Sequence, residues 1–207
     1  PERILNDPDY IAYKSIGETG GNTSPGDSGD SSVKDFLSPA AGMNFIDLGC
    51  CLNLMLNAYD SWPSLYHGVD ISGKTIELLT EFTAKNNIRT GALLCGSIHE
   101  TPFEDSYFDI GACIGVLEYY KKEFVGKALI EIHRILKRGG RLVLDAPNIL
   151  SPACRGMMLL EENAGRPDLF DMLPSEFEEM LSKYFNIEKS ETAKELPMLK
   201  YCLSCKK

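Results

Sequence analysis

Hydrophobic positions in the middle of the chain alternate between short unbroken runs and longer segments with helical spacing. Apolar runs bounded by turn residues are typical of strands buried on both faces of a sheet. The longer segments repeat apolar residues at i, i+3, i+4 and i+7; one follows Ser72 as a predicted N-cap, and the other precedes the stop at Gly139 and Gly140. This alternation predicts an α/β fold with a parallel sheet covered on both faces. The predicted strands are residues 43–48, 65–71, 92–95, 108–114 and 141–145.

The alternation breaks after Asn148. Two helical patterns follow, in SPACRGMMLLEEN and PSEFEEMLSKYF, and then two strand patterns near residues 185–189 and 198–203. We therefore predict that residues 149–183 form a helical insertion over the edge of the sheet and that a closing pair of strands follows it. The apolar stretch at residues 157–160 either belongs to the core or lines an adaptable pocket.

The beginning of the chain has a different composition. Residues 15–32 are rich in Gly, Ser, Thr and Asp and carry almost no apolar side chain, which predicts a flexible loop. The short arm before it contains Tyr10 and Tyr13, which either close over a ligand or pack on the domain. We expect an arm and loop at residues 1–32 and one domain at residues 33–207.

Composition and charge exclude several classes of function. A chain of 207 residues with 43% hydrophobic residues is long enough for one α/β domain. A net charge of -9 and the lack of a basic cluster argue against a nucleic-acid partner. No apolar run reaches the length of a membrane span. The seven cysteines are an odd set, mostly in apolar runs, and the visible start has no apolar signal-peptide centre, so we expect a reducing, cytoplasmic location.

Candidate binding residues follow the first two predicted strands. The first strand ends in FIDLGCCLN, where Gly49 permits a tight turn and a following helix would offer unpaired N–H groups. The second strand ends in YHGVDIS, so Asp70 lies 21 residues after Gly49. An acidic side chain at this spacing is the usual acceptor for ribose hydroxyls, although it could also cap the next helix. Together these residues indicate a nucleotide-like ligand.

Five segments in the same order resemble the class I, Rossmann-like S-adenosylmethionine-dependent methyltransferases. IDLGCCLN is similar to their DLGCGxG motif, and GVDIS is similar to their ribose-binding strand end. CGSIHETPFEDSYFD resembles their GDAxxLPFxDxxFD segment, CIGVLEYY resembles CxxVLEH, and LKRGGRLVLDAPN resembles LKPGGxLxxxxPN. The resemblance covers residues 43–148. It implies a three-layer α/β/α sandwich with a mostly parallel seven-stranded sheet, and S-adenosyl-L-methionine as the cofactor. It also implies that the insertion at residues 149–183 covers the substrate.

The resemblance also implies which positions contact the cofactor. Those in the first motif would face its amino-acid part, Asp70 would accept both ribose hydroxyls, and the backbone near Cys113 would receive its ammonium group. Side chains after the second, third and fourth strands would surround the adenine or lie behind the ligand. The implied cofactor-binding residues are Asp47, Gly49, Cys50, Cys51, Asn53, Asp70, Ile71, Ser97, Ile98, Cys113, Val116 and Leu117.

Four positions depart from the family pattern. Cys51 and Asn53 stand where glycines allow positive φ and a close approach to the ligand. Ser97 replaces an aspartate that accepts the adenine amino proton, and Tyr119 replaces a histidine. Each change could cost about 1 kcal/mol of cofactor affinity. A related protein without activity, acting as a binding or regulatory subunit, is therefore the alternative hypothesis. A nicotinamide dehydrogenase would need G-x-G-x-x-G, which GCCLNL does not supply.

The expected chemistry is in-line displacement of a methyl group, which depends mainly on orientation. Holding donor and acceptor in place can contribute about 7–11 kcal/mol. A hydroxyl or ammonium acceptor also needs a base, and Glu118, Tyr119 and Tyr120 are the candidate catalytic residues by position. Glu118 could instead stabilise a helix dipole. The fourth strand lacks the [DN]PP[YF] sequence of base and glutamine methylation, so we expect a small-molecule acceptor.

The other chemistry-bearing side chains are predicted to be structural or solvated. His133 lies beside the buried face of a helix, and His99 is expected to be solvated in the loop near the adenine. Cys202 and Cys205 have metal-ligand spacing, but no second pair matches them, so no metal site is predicted. The adjacent Cys50 and Cys51 are expected to be packing residues.

Overall fold

A computed structural model places all seven strands in one sheet with the order β3-β2-β1-β4-β5-β7-β6. It describes residues 2–19, 31–166, 169–192 and 197–206. Strands β1 to β5 pair in parallel, and β7 runs antiparallel to both β5 and β6. The predicted mostly parallel seven-stranded sheet is confirmed. The strands are β1 (Asn44–Leu48), β2 (Leu65–Asp70), β3 (Thr90–Cys95), β4 (Phe108–Cys113), β5 (Leu136–Pro147), β6 (Phe185–Thr192) and β7 (Met198–Cys205).

Eight helices are assigned within the described residues, besides two short 3-10 turns. None of these helices combines the length and the apolar character needed to cross a bilayer. The helices are α1 (Glu2–Leu5), α2 (Pro8–Thr19), α3 (Ser31–Leu37), α4 (Asn53–Leu56), α5 (Gly73–Asn86), α6 (Lys122–Ile135), α7 (Pro152–Asn163) and α8 (Pro174–Leu181).

Two apolar clusters pack on opposite faces of the sheet. Consecutive residues of β1 belong to different clusters: Phe45 packs with Leu79 of α5, and Ile46 packs with Leu129 of α6. Successive side chains of a strand point to opposite faces, so this division shows helices on both sides. The three-layer α/β/α arrangement is therefore confirmed.

The start of α5 agrees with the sequence prediction, whereas the end of α6 does not. The side chain of Ser72 caps α5 by accepting a hydrogen bond from the backbone N–H of Thr75. We expected α6 to continue to the glycines at 139 and 140, but it ends at Ile135 and β5 begins at once. The physical reason is the pairing with β4, which aligns Leu136 with Phe108 and then jumps to Arg141. Gly139, with φ of 71°, serves the bulge between these pairs instead of a helix stop.

The N-terminal arm packs against the insertion that follows β5. The guanidinium of Arg155 in α7 donates to both carboxylate oxygens of Asp9 in α2, at 2.7 and 2.9 Å. The helices approach closely at Gly156, where a Cβ would lie 2.1 Å from the carbonyl oxygen of Asp9. The ends of the predicted flexible loop are helical, since α2 continues to Thr19 and α3 begins at Ser31. Residues 20–30 of that loop lie outside the described residues.

His67 in β2 is a buried titratable side chain whose burial disfavours its charged form. Its Nδ1 accepts a hydrogen bond from the backbone N–H of Ala92 at 3.0 Å. Burial lowers the pKa of His67 from 6.5 to about 4. The unfolded chain therefore binds this proton more tightly, and stability is lost as the pH falls from the unfolded value towards the folded one. Three aromatic rings meet the imidazole edge-to-face, those of Phe103, Tyr107 and Phe108.

We expect His67 to make the fold sensitive to acid. Between about pH 7.5 and about pH 5, its contribution to the free energy of unfolding should fall by about 2 kcal/mol. His67→Asn keeps an acceptor for Ala92 but does not titrate, so the stability difference between wild type and variant should shrink by that amount. Urea unfolding at both pH values measures it. Buried carboxylates act in the opposite direction but are present in both proteins, so an unchanged difference would contradict the prediction.

Candidate cofactor and active site

The predicted site residues meet at the carboxyl edge of the sheet, where the strand order reverses. From β1 the chain moves outward to β2 and β3, and it then returns to place β4 on the other side of β1. Open α/β sheets bind their ligands in the crevice outside this reversal, because the loops after the two central strands diverge there. Asp47, Asp70 and Cys113 lie at or next to the ends of β1, β2 and β4.

The turn after β1 uses its own amides to join the two strands. Gly49 has φ of 73°, and the backbone N–H groups of Gly49 and Cys50 both donate to the carbonyl of Val69. The N–H of Cys51 donates to Oδ2 of Asp70 at 2.8 Å. The prediction of unpaired N–H groups at the start of a helix is therefore wrong for these three residues. The helix that follows, α4, has only four residues.

Cys51 and Asn53 replace glycines of the family pattern, and each has a side chain with a defined environment in the turn after β1. Cys51 has φ of 40°, and it is exposed. Asn53 is half-buried, and its amide nitrogen lies 3.4 Å from Oδ1 of Asp47, to which it donates a hydrogen bond. Cys50 is buried against Gly68.

Asp70 lies both beside the turn after β1, where a ribose acceptor is expected, and at the start of α5, where a helix cap is expected. Its Oδ1 accepts from the backbone N–H of Ser72, the N-cap of α5, at 2.8 Å, and its Oδ2 accepts from Cys51. These bonds hold the half-buried carboxylate in place. Each carboxylate oxygen has a second lone pair. Asp70 can therefore hold the start of α5 and still accept hydrogen bonds from the hydroxyl groups of a ligand.

Asp47 is a second carboxylate in this region, and it is almost fully buried. Its Oδ2 accepts from the hydroxyl of Tyr66 at 2.9 Å. Burial is the main cause that raises the pKa of Asp47 to about 7, while the bonds from Tyr66 and Asn53 oppose it. A cationic ligand beside this carboxyl would favour its ionised form.

The expected adenine side consists of one open apolar side chain and one buried one. Ile71 is 70% exposed directly after Asp70, which fits a residue that a flat ligand covers. Ile98 is buried in the core, so its side chain packs inside the domain. Ser97 is half-buried, and its hydroxyl lies 2.6 Å from Nδ1 of His99. The expectation of a solvated His99 is therefore wrong, because this ring is half-buried and hydrogen-bonded.

The loop after β4 is held by a residue that sequence analysis missed. Asp145, near the end of β5, accepts a hydrogen bond from the backbone N–H of Gly115 at 2.8 Å. Burial raises the pKa of Asp145 to about 6, and the bond from Gly115 and the charge of Lys200 oppose the shift. Its signal in the sequence was an acidic residue at the end of an otherwise apolar strand. The bond fixes the turn that brings Val116 against Gly49.

Cys113, the last residue of β4, and Leu117, in the loop after it, are fully buried. Burial, followed by the charges of Asp145, Glu118 and Asp47, raises the pKa of the Cys113 thiol well above its usual range. The thiol therefore stays protonated and is not a nucleophile. The same interactions indicate that carboxylates surround the end of β4.

The three candidate catalytic residues have different surroundings. Glu118 is 9% exposed in a 3-10 turn, and its carbonyl accepts from the N–H groups of Leu169 and Phe170, which ties the turn to the insertion after β5. Tyr119 is 36% exposed. The ring of Tyr120 stacks on Phe124 with centroids 3.8 Å apart. Burial, then the charges of Asp70 and Cys113, raises the pKa of Tyr120.

Other chemistry-bearing residues lie away from this edge or from one another. His133 contacts the backbone carbonyl of Lys206 at the end of β7, far along the sheet from the site. Cys202 and Cys205 belong to the clusters on opposite faces of the sheet, so they cannot bind one ion together. Within the described ranges, no three His, Cys, Asp or Glu residues are arranged to hold a metal ion.

These residues fit a nucleoside that carries a charged tail. Asp70 offers oriented lone pairs for two hydroxyl groups, and exposed Ile71 offers an apolar face beside it. The end of β1 holds a buried carboxyl, that of Asp47, where a positive group would be stabilised. S-adenosylmethionine has this combination of groups.

Comparisons with known proteins agree with this geometry. A family profile described as a methyltransferase domain matches residues 46–144, just under half of the chain. An uncharacterized protein of Methanocaldococcus jannaschii is 35% identical over 115 residues, which are 56% of this chain and 42% of that protein. The sterol 4-C-methyltransferase of Caenorhabditis elegans is 29% identical over 114 residues, which are 54% of this chain and 33% of that enzyme. The chain spans less than half the length of both curated relatives.

A solved structure extends the likeness to most of the chain. Geranyl diphosphate C-methyltransferase from Streptomyces coelicolor A3(2), bound to S-adenosyl-L-homocysteine, Mg²⁺ and geranyl-S-thiolodiphosphate, superposes with a TM-score of 0.66. The identity is 15%, and the match covers 84% of this chain and 74% of that one. The profile match and the residues at the sheet edge agree with the shared fold: residues 46–144 match a methyltransferase domain, and the chain has the Rossmann-like fold of class I S-adenosylmethionine-dependent methyltransferases.

Proposed function

We propose that this protein transfers the methyl group of S-adenosyl-L-methionine, its cofactor, to a small-molecule acceptor. The observation that carries the proposal is the placement of Asp70: it lies beside the strand reversal, its carboxylate is held by two backbone N–H groups, and an open apolar side chain follows it. An acidic residue so placed accepts the two hydroxyls of a ribose.

Asp70 would bind the ribose, Ile71 and Ser97 would surround the adenine, and the turn at residues 49–53 would support the amino-acid part. Asp47 and the backbone of Cys113 would stabilise the ammonium group. Val116 and Leu117 pack behind the loop that completes this side. These proposed roles are those that the family resemblance implies, and the position of Asp47, Asp70 and Cys113 at the ends of their strands supports them.

When bound, the cofactor supplies a methyl group on a sulfonium, whose displacement releases a neutral thioether. No residue has to protonate that leaving group, so the chain mainly has to orient the acceptor and exclude water. If the acceptor is a hydroxyl or an ammonium group, a base must take its proton. Glu118 is the proposed base, since it is buried in the 3-10 turn that comes after β4. Tyr119 and Tyr120 would position the acceptor beside it.

The insertion after β5 is the proposed cover of the acceptor pocket. It begins at the carboxyl end of β5, is tied to Glu118 through residues 169–170, and is buttressed by α2. A named methyl acceptor appears for two relatives, a sterol and geranyl diphosphate, and both are small molecules. The net charge of -9 disfavours a nucleic-acid acceptor.

A cytoplasmic location is part of the same proposal. Five of the seven cysteine side chains are buried and pack as small apolar groups, which suits a reducing compartment.

Transfer of a labelled methyl group tests the function. Purified protein is incubated with methyl-labelled S-adenosylmethionine and a cell extract that has been separated into small-molecule and macromolecular fractions. We expect label in the small-molecule fraction only, and none with Asp70→Ala, while Asp60→Ala should behave as wild type. Label confined to protein or nucleic acid would refute the small-molecule acceptor. Cofactor binding without transfer to either fraction would favour a binding subunit.

A further inference from the structure

The loop after β3 carries a pair of polar side chains that departs from the family pattern. The hydroxyl oxygen of Ser97 lies 2.6 Å from Nδ1 of His99, which is a short and well-formed hydrogen bond. The residue between them, Ile98, is buried in the core. Two residues after His99, both the N–H and the hydroxyl of Thr101 donate to Oε1 of Glu131 in α6. The loop is therefore anchored, and the pair has a defined position.

Aromatic packing fixes the ring of His99. Its centroid lies 5.0 Å from that of Phe124, and Phe124 in turn stacks on Tyr120. Tyr120 is close enough to Asp70 for the carboxylate charge to contribute to its raised pKa, after burial as the main cause. The three rings thus form one packed group that continues from the Ser97 and His99 pair.

A serine hydroxyl is ambiguous, because it can both donate and accept a hydrogen bond. When its proton is donated to an imidazole nitrogen, only the lone pairs of its oxygen remain for a ligand. The hydroxyl then has the same hydrogen-bonding polarity as the aspartate that it replaces. An amino group on a base can donate to such an oxygen, whereas an oxo group cannot.

We propose that Ser97 and His99 form an acceptor pair that selects the exocyclic amino group of adenine, with His99 as the positioning residue that orients the Ser97 hydroxyl. This inference rests on the proposed function, since it assigns a specificity to the same cofactor site. In this arrangement Nδ1 of His99 accepts and its Nε2 carries the proton. The pair therefore disfavours hypoxanthine, whose oxo group would face the oxygen of Ser97 with no proton between them.

Calorimetry with two ligands tests the pair. S-adenosylhomocysteine carries the amino group, and S-inosylhomocysteine carries an oxo group in its place. Wild type should prefer the first by about tenfold or more. Ser97→Ala should lose most of this preference through weaker binding of S-adenosylhomocysteine. His99→Phe keeps an aromatic ring against Phe124 but frees the hydroxyl, so it should bind S-inosylhomocysteine several-fold more tightly than wild type does.

Further variants separate selection from a merely structural role. His99→Asn keeps an acceptor near the position of Nδ1 and should restore most of the preference. The double variant Ser97→Ala/His99→Phe should show no further loss beyond Ser97→Ala, because His99 acts through Ser97. His133→Phe replaces a histidine at the other end of the sheet and should leave both affinities unchanged.

Three outcomes would overturn the inference. An unchanged preference in His99→Phe, or additive losses in the double variant, would show that the two residues do not act together. Equal affinity of wild type for both ligands would leave cofactor binding intact but remove the selection. If wild type bound neither ligand, the proposed function would fail as well, so the two failures are distinguishable.

Discussion

Asp70→Ala is expected to lower the affinity for S-adenosylhomocysteine by at least about a hundredfold. Two hydroxyl groups of a ribose would each lose a bond to a charged acceptor, and such a bond contributes about 1.5–3 kcal/mol. The substitution also removes the partner of the Cys51 and Ser72 backbone N–H groups, so the turn after β1 would lose its link to β2. Isothermal titration calorimetry measures the change.

Two further variants separate the ligand contact from the structural role. Asp70→Asn keeps one oxygen acceptor and has nearly the same shape, so its affinity should fall by about tenfold and its fold should be retained. Asp60→Ala removes an exposed carboxylate from the 3-10 turn before β2, and binding should not change. Wild-type affinity in Asp70→Ala and Asp70→Asn would refute the ribose contact, and the proposed cofactor site with it.

The elements that the sequence predicted well are those encoded in a local pattern. Strands β1, β2 and β4 are short apolar runs between turns, and their observed ends lie within about a residue of the predicted ones. The N-cap of α5 at Ser72 is also local, because its side chain bonds three residues ahead. Asp70 lies at the end of β2 for the same reason, and the parallel pairing of β2 with β1 brings it beside the turn at Gly49.

The features that the sequence did not reveal depend on pairing between distant segments. Strand β5 begins at Leu136 because that residue pairs with Phe108, which no helical or strand period within β5 could show. Asp145 reaches Gly115 across 30 positions of sequence. The backbone N–H groups of Gly49 and Cys50, in the turn after β1, donate to the carbonyl of Val69 in the neighbouring strand. Each of these contacts exists only once the sheet has formed.

Two glycines show the same difference between local conformation and contact with a distant segment. Gly49 and Gly42 both have positive φ, at 73° and 85°. The space around them differs: a Cβ at Gly42 would meet nothing within 4 Å, whereas a Cβ at Gly49 would lie 2.2 Å from Cγ2 of Val116. The first glycine is required only by its backbone conformation. The second is also required by the contact between the loops after β1 and β4.

Gly49→Ala is therefore expected to lower the free energy of unfolding by about 2–4 kcal/mol, combining the left-handed conformation with overpacking against Val116. Affinity for S-adenosylhomocysteine should fall by about thirtyfold or more, because the two loops that would hold the amino-acid part must separate, and small displacements of positioning groups have large effects. Urea unfolding and calorimetry measure the two changes. Gly42→Ala has the same conformational cost without the clash, so it should lose only about 1 kcal/mol and keep its affinity.

The contact itself is tested by removing the other partner. Val116→Ala deletes the methyl group that a Cβ at position 49 would strike. The double variant Gly49→Ala/Val116→Ala should be less destabilised than the sum of the two single variants, since the clash exists only when both side chains are present. It should also recover part of the lost affinity, while the cost of the left-handed alanine persists. Strictly additive losses would mean that the loops after β1 and β4 do not support each other, and that only the backbone conformation of Gly49 matters for the site.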